Sequence, residues 1–311
     1  MRVVFMGSPA FAVPSLHALI ERFEVAGVVT QPDSPSGRGR KIRSPEVKRA
    51  AVEASIPVFQ PPTLRGSDVL RRLRAWQPEL IVAAAFGQLI PQPILDLAEH
   101  GCLNVHPSLL PRWRGASPIQ AAILNGDKET GVTIMKLDAG FDTGPIIAQR
   151  RVPLSPEMTG GELSQRLSEL GAALLIETLP DYVLGNLVAV PQDDTRATNA
   201  PTILKSAGAL DFTRTAEVLA RQVRAYEPRP GSFLAWEGRR LVVRRARPHP
   251  AKLEVPGEVV VADGYPAVGT ADGLLLLEIV QPEGRRAMDG QSFIHGAPKF
   301  AGSLLAVANE A

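Results

Sequence analysis

The chain holds a single cysteine, Cys102, among 311 residues, which excludes an intrachain disulfide framework and a metal site built from several thiolates. It also lacks any uninterrupted apolar run of the roughly 20 residues needed to cross a bilayer. The apolar opening resembles a signal peptide, but Gly7-Ser8-Pro9 and Pro14 interrupt it and Arg2 is the only charge before Glu21. It reads instead as a buried first strand, and the expected setting is the cytoplasm, without membrane contact. Net charge is scarce as well. With 34 basic and 32 acidic side chains giving +2, a nucleic-acid partner would have to be held by local basic clusters rather than by the field of the whole molecule. What is present, 45% hydrophobic and 21% charged residues, is the balance of a globular chain long enough for two domains.

Short apolar runs alternate with helical patterns through the first half. Arg2 to Met6, Val25 to Thr30, Val58-Phe59, Leu80 to Ala85 and Cys102 to Val105 read as strands; Pro9 to Arg22, Pro45 to Ala54, Ser67 to Trp76 and Pro91 to Ala98 read as helices. Ser44-Pro45 and Ser117-Pro118 resemble N-caps followed by proline in the first turn. Such alternation predicts an α/β domain of Rossmann-like form, a largely parallel sheet with helices on both faces. Val132 to Leu137 and Ile146 to Pro153 read as two further strands joined by a polar turn, ahead of a long helix from about Thr159 to Leu184. From Val188 to Lys205 no period of either kind persists, so residues 188–205 read as a linker between domains 1–187 and 206–311. Beyond a helix at Thr213 to Tyr226, short strands around Phe233, Leu241, Val259, Val268 and Leu275 predict a smaller antiparallel β-barrel of OB-like form.

Asn104 and His106 stand two residues apart at the end of a strand, so their side chains share a face. Open α/β sheets bind ligands at that carboxyl edge. In LDAGFDTGP, residues 137–145, Asp138 and Asp142 flank a glycine turn, and either could orient an imidazole. Spacing alone leaves an ordinary loop pair and an ordinary Asp-Gly turn as alternatives. Without an i, i+4 histidine pair or further cysteines, no metal site is expected.

The run GCLNVHPSLLPRWRGASPIQAAILNGDKETGVTIMKLDAGFDTGPI, residues 101–147, resembles the signature of the folate-dependent formyltransferases, and its SLLPRWRGASPIQ core is similar to their methionyl-tRNA branch. VVTQPDSPSGRGRKIRSPEVK (28–48), FQPPTLR (59–65), RAYEPRPGSF (224–233) and IVQPEGRRAM (279–288) resemble further segments of that branch, in the same order. The resemblance implies a transferase that moves the formyl group of 10-formyltetrahydrofolate, its co-substrate, onto the amino nitrogen of initiator methionyl-tRNA for translation initiation, and the simplest expectation is a monomer. It places Asn104, His106 and Asp142 on the catalytic trio. Asn104 and a protonated His106 would then donate to the oxygen on which negative charge develops, with Asp142 stabilising the imidazolium; Asp138 is left as structural. Ser108, Leu109, Leu110 and Pro111 fall on a loop lining the folate site, and Phe86, Gly87, Gln88 and Leu89 border the pterin.

Two basic clusters bear on tRNA. Arg38, Arg40, Lys41, Arg43, Lys48 and Arg49 face one acid, Glu46, behind Pro32, Pro35, Gly37 and Gly39. By residue type this is a mobile, solvated surface loop; by resemblance it meets the acceptor end of tRNA, through Arg38 and Arg40 first, then Lys41 and Arg43. Arg239, Arg240, Arg244, Arg245 and Arg247 surround Leu241-Val242-Val243, and alternation sends them to both faces of a strand. Arg244 and Arg245 are the expected tRNA contacts there. Three rival readings exist. A nicotinamide-dependent oxidoreductase would fit the βαβ pattern, but the first strand leads into Gly7-Ser8-Pro9-Ala10-Phe11, not G-x-G-x-x-G. A formyltransferase with another acceptor is disfavoured by the basic loop, and a non-catalytic tRNA binder has no need of the trio.

Overall fold

The computed structural model describes residues 1–36 and 41–306, the side chains of Ser36 and Lys41 excepted. The chain forms two compact units, Met1–Pro118 with Glu129–Pro153 and Ser164–Ala200, and Ile119–Lys128 with Leu154–Leu163 and Pro201–Ala311. This division differs from a cut at residues 188–205. Two segments within the first 187 residues go to the second unit, and residues 188–200 belong to the first.

In chain order the first part contains β1 (Arg2–Gly7), α1 (Val13–Arg22), β2 (Glu24–Val29), β3 (Ser34–Ser36), β4 (Lys41–Arg43), α2 (Glu46–Glu53), β5 (Val58–Phe59), α3 (Ser67–Ala75) and β6 (Leu80–Ala84). α4 (Gln92–Leu95), β7 (Cys102–His106), β8 (Arg114–Gly115), α5 (Pro118–Leu124), β9 (Glu129–Lys136), β10 (Ile146–Pro153), α6 (Gly160–Val183) and β11 (Asn199–Ala200) follow. Seven strands form one sheet in the order β10-β9-β7-β6-β1-β2-β5. From β5 to β7 all neighbours are parallel; β9 and β10 add antiparallel pairs.

Central strands buried on both faces read as continuous apolar runs, and RVVFMG and LIVAA do so. Val4 and Met6 of β1, Ile81 and Ala83 of β6 and Cys102 of β7 pack with Val69 and Leu73 of α3 and Ile94 and Leu95 of α4. The intervening Val3, Phe5, Val82, Leu103 and Val105 are equally buried and point the opposite way. There α6 approaches so closely that a Cβ on Gly171 would lie 2.6 Å from Val105 Cγ1. β10, with its alternating IIAQRRVP, is an edge strand. Its Arg150 and Arg151 pair with Glu177 and Glu129, charges of the kind that discourage edge-to-edge pairing.

The second unit contains α7 (Ala216–Tyr226), β12 (Ser232–Trp236), β13 (Arg239–His249), β14 (Val259–Ala262), β15 (Tyr265–Gly269), β16 (Leu274–Pro282), β17 (Met288–Asp289) and α8 (Gly290–Gly296). Its antiparallel sheet runs β12-β13-β16-β15-β14, with β17 added on β16. Thr215, not Thr213, caps α7, its hydroxyl accepting from the Val218 amide. Trp236, Phe293 and Phe300 meet edge to face in the core of this unit.

Candidate active site

β1 lies between β2 and β6, and the chain visits β2 and β5 on one side before crossing to β6 on the other. That reversal makes the carboxyl ends of β1 and β6 the topological switch point, the place at which open α/β sheets take their ligands. Here the Ser8 hydroxyl accepts from the Thr30 hydroxyl (3.2 Å) and the Gln31 amide (3.1 Å), while Gln31 Nε2 donates to the Phe86 carbonyl at 3.1 Å. Phe86 turns its ring into the core, so only its backbone is available at the edge. Gln88 is committed elsewhere: its side chain accepts from the Leu64 amide at 3.1 Å and donates to the Pro61 carbonyl at 3.4 Å. Gly87 has φ +82, and a Cβ there would meet only Gln31 Nε2 at 3.7 Å. Leu89 is 56% exposed. Among the described residues the backbone groups of Gly87, Gln88 and Leu89 make no hydrogen bond. Open space, an uncovered leucine and free backbone polar groups fit a flat heterocycle with donors and acceptors on its rim.

The neighbouring strand β7 carries Asn104 and His106 on one face, Asn104 opposite Ala83 and Met135. Asn104 is half-buried, and among the described residues its side-chain amide has no hydrogen-bond partner. Cys102 shares that face, but burial pushes its thiol up to about 12, which makes it inert as a nucleophile. His106 is buried. Its Nε2 lies 2.9 Å from the Trp113 carbonyl, and since a carbonyl only accepts, Nε2 carries a proton. Nδ1 therefore faces Asp142, at 3.7 Å from Oδ1. This exceeds hydrogen-bond length, leaving Nδ1 uncommitted. Asp142 Oδ2 accepts from the Gly115 amide at 2.9 Å, which turns Oδ1 toward the imidazole.

Asp142 sits in the left-handed region, φ +55, a conformation aspartate tolerates better than most residues. Its carbonyl and that of Gly144 both accept from Gln192 Nε2, at 2.8 and 2.7 Å. Asp138 closes the turn instead, Oδ1 accepting from the Gly140 amide and the Thr143 hydroxyl at 3.0 and 2.8 Å.

The 108–111 loop is anchored from beneath. The Thr133 hydroxyl of β9 donates to the Ser108 carbonyl (2.6 Å) and accepts from the Leu110 amide (3.1 Å) and Gln149 Nε2 (2.9 Å). Gln149 Nε2 also donates to the Leu110 carbonyl at 2.8 Å. The Ser108 hydroxyl donates to the Arg112 carbonyl at 2.7 Å, so it is spent on the loop itself.

The basic clusters fare differently. Arg38 and Arg40 lie outside the described residues, as does the side chain of Lys41. Among the described residues of this segment, β3 and β4 form a two-stranded ladder in which exposed Arg43 is paired through its backbone with Ser34. In the second unit Arg244 contacts Glu227 Oε1 and Gln281 Oε1 (2.9 and 2.6 Å from Nη1 and Nη2). Arg245 pairs with Glu278 at 3.0 Å, and Arg247 with Asp263 at 2.9 Å. Much of the positive charge is thus balanced locally. Sequence reasoning missed Trp113, Gly115, Thr133, Gln149 and Gln192; the first two act through backbone groups, which leave no side-chain signal, and Gln192 lies in the stretch read as linker.

Among the described residues no group of three or more His, Cys, Asp or Glu could hold a metal ion, and no helix is long and apolar enough to cross a membrane.

Residues 1–179 match the formyl transferase family, and residues 202–298 its C-terminal domain. The methionyl-tRNA formyltransferase of Myxococcus xanthus is 44% identical over 304 residues, covering 97% of each chain. That of Thermus thermophilus is 47% identical over 306 residues, covering 98% of this chain and 99% of its own. A solved sugar 3N-formyltransferase, WlaRD, superposes with a TM-score of 0.67 at 17% identity, over 92% of this chain and 99% of its own; at that identity it speaks for the fold alone. With both matched regions in order and full-length relatives aligned nearly end to end, the chain belongs to the methionyl-tRNA formyltransferase family.

Proposed function

We infer that the protein transfers the formyl group of 10-formyltetrahydrofolate to the amino group of initiator methionyl-tRNA, with Asn104, His106 and Asp142 as its catalytic residues. The observation that carries the site assignment is the convergence at one sheet edge of an unpartnered Asn104 amide, a His106 ring whose Nδ1 is uncommitted, and an Asp142 carboxylate aimed at that nitrogen.

The folate supplies the formyl carbon. As the methionyl amine adds to it, negative charge develops on the formyl oxygen and needs donors fixed in advance. Asn104 donates one N–H to that oxygen. His106 donates a second from protonated Nδ1, its ring held by the bond from Nε2 to Trp113. Asp142 stabilises the imidazolium and accepts the proton released by the amine, directly or through water. Collapse of the tetrahedral intermediate restores the carbonyl and breaks the bond from the formyl carbon to the folate nitrogen, which takes up that proton and leaves as tetrahydrofolate. Gly87, Gln88 and Leu89 present backbone groups and an apolar surface to the pterin, and the 108–111 loop lines the rest of the folate site. Phe86 contributes through its backbone at most.

Arg38, Arg40, Lys41 and Arg43 hold the acceptor end of the tRNA, and the antiparallel domain tracks its backbone. Arg244 and Arg245 serve there by exchanging their present carboxylate partners for phosphate, which makes them weaker contacts than free arginines. The enzyme works as a cytoplasmic monomer.

The test is formyl transfer from 10-formyltetrahydrofolate to initiator methionyl-tRNA, elongator methionyl-tRNA and free methionine, by wild-type protein and His106→Ala. Transfer confined to initiator tRNA and lost in the variant is expected. No transfer by folded wild-type protein to any of the three overturns the reading. Arg38→Ala or Arg40→Ala should weaken tRNA use and flatten its salt dependence; unchanged kinetics would remove the loop from the tRNA site.

A further inference from the structure

Both supports of the His106 ring lead to one stretch of chain, residues 190–200. The carbonyl that receives Nε2 belongs to Trp113, whose amide donates to Thr198 Oγ1 at 2.9 Å. On either side of it the Thr198 amide donates to the Pro111 carbonyl at 3.3 Å and the Arg114 amide to the Thr198 carbonyl at 2.8 Å. β11 then pairs in parallel with β8, Asn199 opposite Arg114 and Ala200 opposite Gly115. Gly115 supplies the amide that fixes Asp142 Oδ2.

The second support is more direct. Gln192 Nε2 bridges the carbonyls of Asp142 and Gly144 and so fixes the backbone on both sides of Thr143 while Asp142 holds a positive φ. The amide can face only one way. Its Oε1 accepts from Arg114 Nε at 3.0 Å; a reversed amide would set NH2 against the guanidinium and an oxygen against two carbonyls. Arg114 is itself buried and anchored, Nη2 lying 2.7 Å from Asp194 Oδ1. Two charged or polar side chains therefore hold one backbone turn, and that turn carries the carboxylate facing His106.

We propose that Gln192, locked in its orientation by Arg114, is a positioning residue for the formyl-transfer reaction, holding Asp142 in register with His106. The proposal rests on the assignment of Asp142 as a catalytic residue. Both N–H groups and the oxygen of the Gln192 amide are engaged by protein atoms, so its removal acts on the position of Asp142.

The experiment compares kcat and KM for both substrates in wild-type protein, Gln192→Ala, Asp142→Ala and the double variant, with single-turnover rates where turnover is slow. Misplacement of a catalytic group by about 1 Å costs up to about 100-fold, so Gln192→Ala should lower kcat about 10- to 100-fold with each KM within about 2-fold. Added to Asp142→Ala, it should cost less than about 2-fold more, because the group through which it acts is gone. Gln192→Glu keeps the oxygen that Arg114 holds and loses both N–H donors. It should reproduce the kcat loss, and it carries the test if the alanine variant does not fold. Wild-type kcat in the Gln192 variants beside a crippled Asp142→Ala overturns the proposal. So does a rise in KM at constant kcat, or a full multiplicative loss in the double variant. Wild-type turnover in Asp142→Ala overturns instead the assignment on which the proposal rests.

Discussion

Thr133→Val removes one oxygen and replaces it with a methyl group of nearly the same size, at a position with no solvent exposure. In the native protein that oxygen satisfies the Ser108 carbonyl and the Leu110 amide, and it accepts from Gln149 Nε2. Gln149 keeps its bond to the Leu110 carbonyl. The Ser108 carbonyl and Leu110 amide have no other partner among the described residues, so two buried backbone groups are left unpaired. Each costs about 1–3 kcal/mol, and the added methyl returns about 0.8 kcal/mol. The expected net loss is about 1–5 kcal/mol, centred near 3 kcal/mol, within the stability of an ordinary domain. Denaturant unfolding followed through the buried Trp76 should show it as a lower midpoint. Hydrogen exchange should show lost protection at the Leu110 amide in particular, and KM for 10-formyltetrahydrofolate should rise as the 108–111 loop loosens. A stability change under about 0.5 kcal/mol with Leu110 protection intact would refute the reasoning, since it would mean that these groups find partners as good without the hydroxyl.

Removing Asn104 or His106 as alanine variants should each lower single-turnover formyl transfer about 100- to 1,000-fold, the range for one donor to a developing oxyanion; circular dichroism should be unchanged, and retained transfer would vacate that role. Gly115→Ala forces a side chain onto a residue at φ +114 whose Cβ would lie 2.7 Å from the Ala200 carbonyl. It should separate β8 from β11, weaken the Gly115–Asp142 bond and lower kcat more than KM. Glu177, held below the ordinary glutamate value of 4.5 by its hydrogen bond to Arg150, stabilises the fold above that value and loses this contribution as pH falls through its own lower one. Glu177→Gln should therefore lower Tm at pH 7 and match wild type once both are well below pH 4.5; a constant Tm difference across that range would refute the linkage.

The parallel strands were legible because burial on both faces leaves an apolar run, as in Arg2 to Gly7 and Leu80 to Ala84, bounded by turn residues. α8 was not, because seven residues, GQSFIHG, complete only two turns and five of them are polar or glycine. β8 and β11 are two residues each and exist only through tertiary pairing, which no local pattern records. Asn104, His106 and Asp142 stood out through the resemblance of their surroundings to a known family; spacing alone left Asp138 as good a candidate, and the difference between the two, Asp142 Oδ1 lying 3.7 Å from His106 Nδ1 while Asp138 closes its own turn, exists only in three dimensions. The ion pairs of the arginine cluster at 239–247 were not legible, because Glu227 and Glu278 lie 17 and 33 residues away in sequence from the arginines they meet.

The pairing of β8 with β11 sets where the catalytic half can be cut. A fragment ending at Leu187, where regular structure gives way to a polar stretch, would retain Asn104, His106 and Asp142 but lose Gln192 and Thr198, whose bonds hold the backbone around them. Exchange of C-terminal domains between relatives, whether in the laboratory or by gene fusion, has its workable junction after Ala200 rather than before Val188. The thirteen residues between those points travel with the chemistry, although their composition is that of a tether.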